Sequence, residues 1–145
     1  KWLNMYTYGQ SENNTPDAVA KLKSDGYRIV ATTPHTNDVS LQDFDLTKGK
    51  TALFFGTELT GLSAEMLGLA DEFVKIPMYG FTESFNISVS VGMVLEQLGA
   101  QIRHRLEQQG LNGELSDAEK TELRAAWLAR DMRQADVVLK SLLSS

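Results

Sequence analysis

Residues 52–95 read ALFFGTELTGLSAEMLGLADEFVKIPMYGFTESFNISVSVGMVL and contain two short apolar runs, at 52–55 and 73–76. The first run stops at Gly56, and the second runs into Pro77. Neither residue continues a strand comfortably, and a polar turn that contains glycine follows each run. Because open α/β sheets bind ligands at the carboxyl ends of their strands, we expect residues 56–62 and 76–90 to form two walls of one pocket.

The chain before this stretch carries the signals of a helix start and a helix stop. Thr15, Pro16 and Asp17 combine a capping hydroxyl, a proline suited to the first helical position and an acid at the positive end of the helix dipole. Gly26 supplies the stop. We therefore predict a helix that is capped by Thr15 and ends at Gly26.

The other elements follow from apolar periodicity and from capping residues. They are a strand at 27–32, a loop at 35–50 with a helical turn at 41–44, strands at 51–55 and 73–76, a helix at 63–70 capped by Ser63, a long helix from Asn86 to just before Gly110, and a last helix at 117–143 behind a Ser116/Glu119 capping box. Strands and helices that alternate with short connections predict an α/β fold, a mostly parallel sheet flanked by helices.

Composition narrows the class of protein. The chain has 145 residues, of which 42% are hydrophobic and 23% charged, as in one globular domain with a core of its own. It has no Cys and two His, which gives neither a disulfide framework nor a zinc-binding spacing, so we expect no metal. No apolar run is long enough for a membrane span and no signal-peptide pattern occurs, which predicts a cytoplasmic protein without a membrane partner. The net charge of -5 argues weakly against a nucleic-acid partner.

The first wall, residues 56–62 (GTELTGL), has two readings. Gly56 would let a ligand approach the backbone, and Glu58 would hold the turn by accepting backbone N–H groups. The alternative is an ordinary strand-to-helix turn, which is common in α/β proteins. The pattern lacks the glycine pair of a dinucleotide fingerprint, and the lysine of residues 48–51 (KGKT) precedes a strand rather than a helix, which excludes a phosphate-binding Walker loop.

The second wall places Ser84 and Asn86 at the start of the long helix, where free N–H groups attract polar ligand atoms. Either side chain could instead be a plain helix cap. Two His in unrelated segments do not make a Ser/His/Asp triad, and paired carboxylates of the glycosidase type are not evident.

Both walls, in this order and spacing, resemble the second and third signature motifs of the SpoU/TrmH class of SPOUT RNA 2'-O-methyltransferases. The matching segments are FGTELTGL at 55–62 and IPMYGFTESFNISVS at 76–90. The resemblance extends over nearly the whole chain and implies S-adenosylmethionine as the cofactor. It implies that the cofactor is contacted by Thr32, Gly56, Ile76 and Phe85, with Met78 and Ser84 as neighbours. It further implies that Glu58 and Asn86, together with Ser84, shape the catalytic pocket.

The resemblance also implies partners and an assembly. Members of the class methylate ribose 2'-hydroxyls of structured RNA, which here favours the D-loop guanosine of tRNA, with rRNA as an alternative. They are homodimers whose carboxyl-terminal region forms a trefoil knot, and the small residues between Ser88 and Gly99 are compatible with such packing. Two other interpretations stay open: a non-catalytic RNA-binding relative and a plain nucleotide-binding α/β module.

The first motif of the class, Asn-x-x-x-x-x-Arg, has no match in the chain. Its arginine is credited with activating the ribose hydroxyl, so we expect residues 1–145 to be a SPOUT domain that lacks its amino-terminal part and carries a helical extension at about 116–145. A basic RNA-binding patch could form from Arg103, His104, Arg105, Arg124, Arg130 and Arg133. The alternative is that these side chains belong to solvated helix faces.

Overall fold

The computed structural model describes residues 3–9, 13–34, 38–81 and 84–131. They belong to two compact units, one of residues 8–110 and one that combines the first seven residues with those from Leu111 onwards. Among the described residues, no helix is long and apolar enough to span a bilayer.

The larger unit is built on a four-stranded parallel sheet. Its strands are β1 (Arg28–Thr32), β2 (Val39–Ser40), β3 (Thr51–Phe54) and β4 (Glu72–Lys75), in the spatial order β2-β4-β1-β3. The predicted parallel α/β sheet is therefore confirmed. Strand β2 was missed, because two residues inside a polar loop give no detectable alternation of polar and apolar side chains.

Helices α1 (Thr15–Ser24), α2 (Ala64–Leu69) and α3 (Ile87–Gln108) connect or follow these strands, and two 3₁₀ turns lie at Leu41–Asp43 and Leu46–Lys48. The caps of α2 and α3 are the predicted ones. The Ser63 hydroxyl accepts the N–H of Met66 at 3.1 Å, and the Asn86 side-chain oxygen accepts the N–H of Ser88 at 2.9 Å.

The prediction that Thr15 caps α1 is wrong by one residue. Thr15 is already the first helical residue, and Asn14 occupies the cap position without a side-chain cap bond of its own. The N–H of Thr15 is instead bonded by the Asn13 side chain at 3.3 Å. The predicted stop holds, since Gly26 follows the helix with a φ of 82°, a backbone conformation that favours glycine.

One apolar cluster lies on each face of the sheet. Neighbouring residues of β1 point to opposite faces and therefore belong to different clusters. Val30 lies in the cluster that α3 covers, and Ile29 lies in the cluster that α1 and α2 cover. On α3 only some of the apolar side chains are buried: Val94 and Leu98 are, whereas Leu95 is 62% exposed. The rest of the apolar surface of α3 therefore remains available for contact.

Arg28 lies at the amino-terminal ends of the strands, and its side chain is only 10% exposed. Its guanidinium donates to Glu72 Oε2 at 2.9 Å, to Thr51 Oγ1 at 3.1 Å and to the carbonyl of Asp45. Burial raises the pKa of Glu72, but hydrogen bonds from Lys48 and Arg28 outweigh it and leave that pKa lowered. Arg28 is thus committed to the end of the sheet opposite the carboxyl ends of the strands.

Asp71 provides a pH-sensitive contribution to stability. Its carboxylate accepts the N–H of Ile29 and the ammonium of Lys23, both at 2.7 Å. The hydrogen bond from Lys23, followed by that from Ile29, lowers the pKa of Asp71 below its usual value of 3.8. The free energy that these bonds supply is complete above about pH 4 and is lost as the pH falls through the lower pKa of the folded state.

We expect Asp71→Asn to lower the free energy of unfolding at pH 7 by about 1–2 kcal/mol, the modest value suiting a partly exposed charged acceptor. The difference from the wild type should shrink below about pH 4, where the wild-type carboxyl also becomes neutral. Urea denaturation at pH 7, 5 and 3 measures it. Asp25→Asn, which affects the exposed pair with Lys21, is the matched control and should change stability by under about 0.5 kcal/mol. A deficit that is constant with pH would contradict the assignment.

The smaller unit contains α4 (Asp117–Asp131), and its predicted capping box is confirmed. Glu119 Oε2 accepts the Ser116 N–H at 2.8 Å, while the Ser116 hydroxyl accepts the Glu119 N–H at 3.3 Å. In the same unit, the Trp127 indole donates to the Asn4 side chain at 3.1 Å. The predicted continuation of this helix to residue 143 lies outside the described residues.

Candidate functional site

A cleft of about 440 Å³ opens at the carboxyl ends of β1, β3 and β4. The structure brings both predicted walls to it. Of the predicted site residues, all except Asn86 line the cleft, namely Thr32, Gly56, Glu58, Ile76, Met78, Ser84 and Phe85. Asn86 lies at its edge through a contact with Glu58. A volume of this size is within the range of small-molecule and cofactor sites.

The end of β1 forms one side of the cleft. The Thr32 hydroxyl donates to the carbonyl of Phe54 at 2.8 Å and so ties β1 to β3. Thr33 and Pro34 follow it and also line the cleft, as does Leu67 of α2. These three residues were not predicted from the sequence. Thr33 and Pro34 carried a usable signal, because they directly follow a predicted strand at its ligand-binding end.

The first wall is a closed turn, with Gly56 at its base. The N–H of Thr57 donates to the carbonyl of Gly61, and the N–H of Gly61 donates back to the carbonyl of Thr57, both at 3.0 Å. A Cβ at Gly56 would lie 2.2 Å from the Gly61 carbonyl carbon and 2.4 Å from the Leu62 nitrogen. Glycine is therefore needed here so that the turn can fold back on its own backbone, a requirement that precedes any approach of a ligand.

The predicted function of Glu58 in this turn needs correction. The turn is held by Thr57, through the backbone bonds to Gly61 and through its hydroxyl. Among the described residues, the Glu58 carboxylate instead accepts a hydrogen bond from the side-chain amide of Asn86, which joins the two walls. A sequence separation of 28 residues makes this pair invisible to any local pattern.

Asn86 has the helix-cap function that the sequence offered as one alternative, and it also binds Glu58. Its Oδ1 caps α3 by accepting the N–H of Ser88, while its Nδ2 donates to Glu58 Oε1. The two bonds together fix which end of the amide faces which partner. The side chain that caps α3 thus also connects the second wall to the first.

The chemistry of the lining is apolar with one acid. Eight of its side chains are apolar and large: Phe55, Leu59, Leu62, Leu67, Ile76, Met78, Phe85 and Ile87. Among the described lining residues Glu58 carries the charge, and none is Lys or Arg. Such a lining suits a ligand with a flat apolar ring and a positively charged group better than one with several phosphates. In the described part of the chain, no group of three or more His, Cys, Asp or Glu could hold a metal ion.

A family model described as the SpoU rRNA Methylase family matches residues 2–96, which include the whole cleft. The chain belongs to this family. The predicted family and the predicted α/β fold class are thereby confirmed, while the knot stays a prediction.

Curated relatives support the SpoU assignment. The chain is 48% identical over 124 residues to the tRNA (guanosine(18)-2'-O)-methyltransferase of Borreliella burgdorferi, a match that covers 86% of this chain and 53% of that protein. It is 33% identical to the enzyme of the same name from Escherichia coli K12, over 83% of this chain and 52% of the relative. The chain therefore spans about half the length of the curated relatives it matches.

Solved structures give the same result. The SpoU-family chain matches the Aquifex aeolicus TrmH/SpoU tRNA modifying enzyme with a TM-score of 0.65 and 31% identity, over 84% of this chain and 60% of that one. It matches the SpoU methyltransferase AviRb from Streptomyces viridochromogenes, solved in complex with the cofactor AdoMet, with a TM-score of 0.52 and 31% identity. That match covers 66% of this chain and 35% of the other.

Proposed function

We propose that this SpoU-family chain provides the cofactor site of an S-adenosylmethionine-dependent RNA methyltransferase, which transfers a methyl group to the ribose 2'-hydroxyl of a D-loop guanosine in tRNA. The observation that carries the proposal is the cleft in which both motif segments meet, in a chain whose relatives are named as methyltransferases of tRNA guanosine 18. The alternative substrate is rRNA, because the matching family is described as an rRNA methylase family.

The residues of the cleft fit S-adenosylmethionine. Ile76, Met78 and Phe85 offer apolar surface for the adenine, and the backbone around Thr32 and Gly56 offers polar groups at the strand ends. Glu58 places a negative charge in a lining whose described residues hold no cation, which favours a sulfonium. When bound, the cofactor supplies an electrophilic methyl group.

The protein's own contribution to the reaction is mainly orientation. Methyl transfer requires the ribose oxygen in line with the methyl group, and fixed geometry can supply a large part of the rate. We assign Glu58 and Asn86, held together across the two walls, to the hydroxyl, with Ser84 beside them at the helix start. Arg28 does not promote loss of the hydroxyl proton, because its guanidinium is bound to Glu72 at the opposite end of the sheet.

We further propose that the protein works as a cytoplasmic homodimer. Apolar side chains are left exposed along α3, among them Val89 at 49%, Met93 at 39% and Leu95 at 62%. A second copy would cover them, as exposed apolar patches of this kind often mark an interface. The proposal includes the domain assignment, with residues 1–145 as a SPOUT domain whose helical extension begins at about 116.

Nucleoside mass spectrometry tests the activity. The protein made from its complete coding sequence, incubated with S-adenosylmethionine and a tRNA transcript, should produce 2'-O-methylguanosine in the D-loop. A transcript with a 2'-deoxyguanosine at the target position is the matched control and should accept no methyl group there. Product in rRNA fragments alone would change the substrate to rRNA. RNA binding without any methyl transfer would support the non-catalytic alternative and overturn the proposed activity.

A further inference from the structure

The turn at the first wall is closed by side chains as well as by the backbone. Thr57 Oγ1 lies 2.7 Å from Thr60 Oγ1, and it also accepts the N–H of Thr60 at 3.2 Å. These two contacts, which we call the threonine clasp, lie inside the ring that the backbone bonds between Thr57 and Gly61 already close. Glu58 and Leu59 occupy the tip between the two threonines.

The clasp has no evident function in the core. Residues 57–60 are all exposed, and Leu59 is 98% exposed, so the turn is not held in shape by packing. Its conformation depends on the hydrogen bonds within it and on the bond from Asn86 to Glu58. In a turn with so little packing, side-chain hydrogen bonds decide which backbone conformation dominates.

We propose that Thr57 and Thr60 are positioning residues, which act through Glu58. The clasp fixes the backbone on both sides of the turn's tip, so that the Glu58 carboxylate is held where Asn86 can bind it. This inference rests on the proposed function for its kinetic consequence. Its structural part, the dependence of the Glu58–Asn86 bond on the Thr57 hydroxyl, stands by itself.

The variants at Thr57 distinguish the effect of losing the hydroxyl from the effect of changing the shape of the side chain. Thr57→Val keeps the branched shape and removes both contacts of the clasp, whereas Thr57→Ser keeps the hydroxyl. Thr60→Val removes only the contact between the two hydroxyls. Thr121→Val is the matched control, because it removes a 2.7 Å hydroxyl bond from an exposed turn of α4.

A double-mutant cycle on methyl transfer provides the kinetic test. We expect Thr57→Val to lower kcat roughly 10-fold, Thr60→Val to lower it less, and Thr57→Ser and Thr121→Val to stay within about 2-fold of the wild type. In a Glu58→Gln background, Thr57→Val should cost under about 2-fold, because a positioning residue has little left to position. Equal losses in both backgrounds, or no rescue by serine, would overturn the proposal.

A second readout is independent of activity. In proton–nitrogen NMR spectra, the side-chain amide of Asn86 reports its bond to Glu58. Thr57→Val should shift that resonance and speed hydrogen exchange at the Thr60 N–H, while Thr57→Ser should do neither. If the wild-type protein transfers no methyl group but the variants show these NMR changes, the proposed function is refuted and the threonine clasp is supported. An Asn86 resonance that moves with Glu58→Gln but not with Thr57→Val would refute the clasp itself.

Discussion

Gly56→Ala should weaken S-adenosylmethionine binding by about 100-fold or more. The added Cβ would meet backbone atoms of Gly61 and Leu62 at 2.2 and 2.4 Å, and backbone cannot swing aside as a flexible side chain can. The turn must therefore open, which displaces the whole first wall of the cleft. Since the turn is exposed, we expect a smaller effect on the free energy of unfolding, about 1–2 kcal/mol.

Titration calorimetry with S-adenosylmethionine and thermal denaturation measure the two effects. Gly68→Ala in α2 is the matched control, because a Cβ there meets nothing within 4 Å. Alanine in place of a helical glycine should leave binding unchanged and raise stability by up to about 1 kcal/mol. If Gly56→Ala binds the cofactor as the wild type does, the closed turn is not a wall of the cofactor site.

Glu58→Gln is the second change with a large expected effect. The glutamine keeps the length of the side chain and can still accept a hydrogen bond from Asn86, but it removes the negative charge from the cleft. We expect kcat for methyl transfer to fall about 10²-fold, the magnitude typical of losing one preorganised polar group. Binding of the positively charged cofactor should weaken by a smaller factor.

Steady-state kinetics on tRNA, together with calorimetry, separate these two losses. Glu65→Gln is the matched control, since Glu65 is an exposed acid of α2 that binds Asn13 outside the cleft. It should leave both constants within about 2-fold of the wild type. A Glu58→Gln variant with unchanged kcat would remove Glu58 from the catalytic assignment and leave it a purely structural link between the walls.

Much of the fold was predictable because its signals are local. Apolar runs predict the strands around Val30 and Leu53, and the capping residues Ser63 and Asn86 predict the helices that follow. The shift from Thr15 to Asn14 shows the limit of such signals, since adjacent residues of similar capping ability compete for one position. Strand β2 exists because β4 offers it a pairing edge, which is a tertiary effect.

The features of the site also divide into those that local sequence signals predict and those that depend on the folded structure. The motif segments identified the walls, because glycine and polar residues after a strand are readable in order along the chain. The bond between Glu58 and Asn86, the fold-back behind Gly56 and the hydroxyl contact of Thr57 depend on distances between atoms. Residues that line the cleft were therefore predictable from the sequence, whereas the contacts that hold them in place were not.

The two hydrogen bonds of the Asn86 side chain fix the orientation of its amide at the edge of the cleft. Rotating the amide by half a turn would set its oxygen against the Glu58 carboxylate and its nitrogen against the Ser88 N–H, breaking both bonds at once. The second Nδ2 hydrogen of Asn86 and Oε2 of Glu58 take no part in the bonds described, which leaves a donor and an acceptor on two side chains that are bonded to each other. A hydroxyl group, which both accepts and donates, is the simplest chemical group that can satisfy the two together.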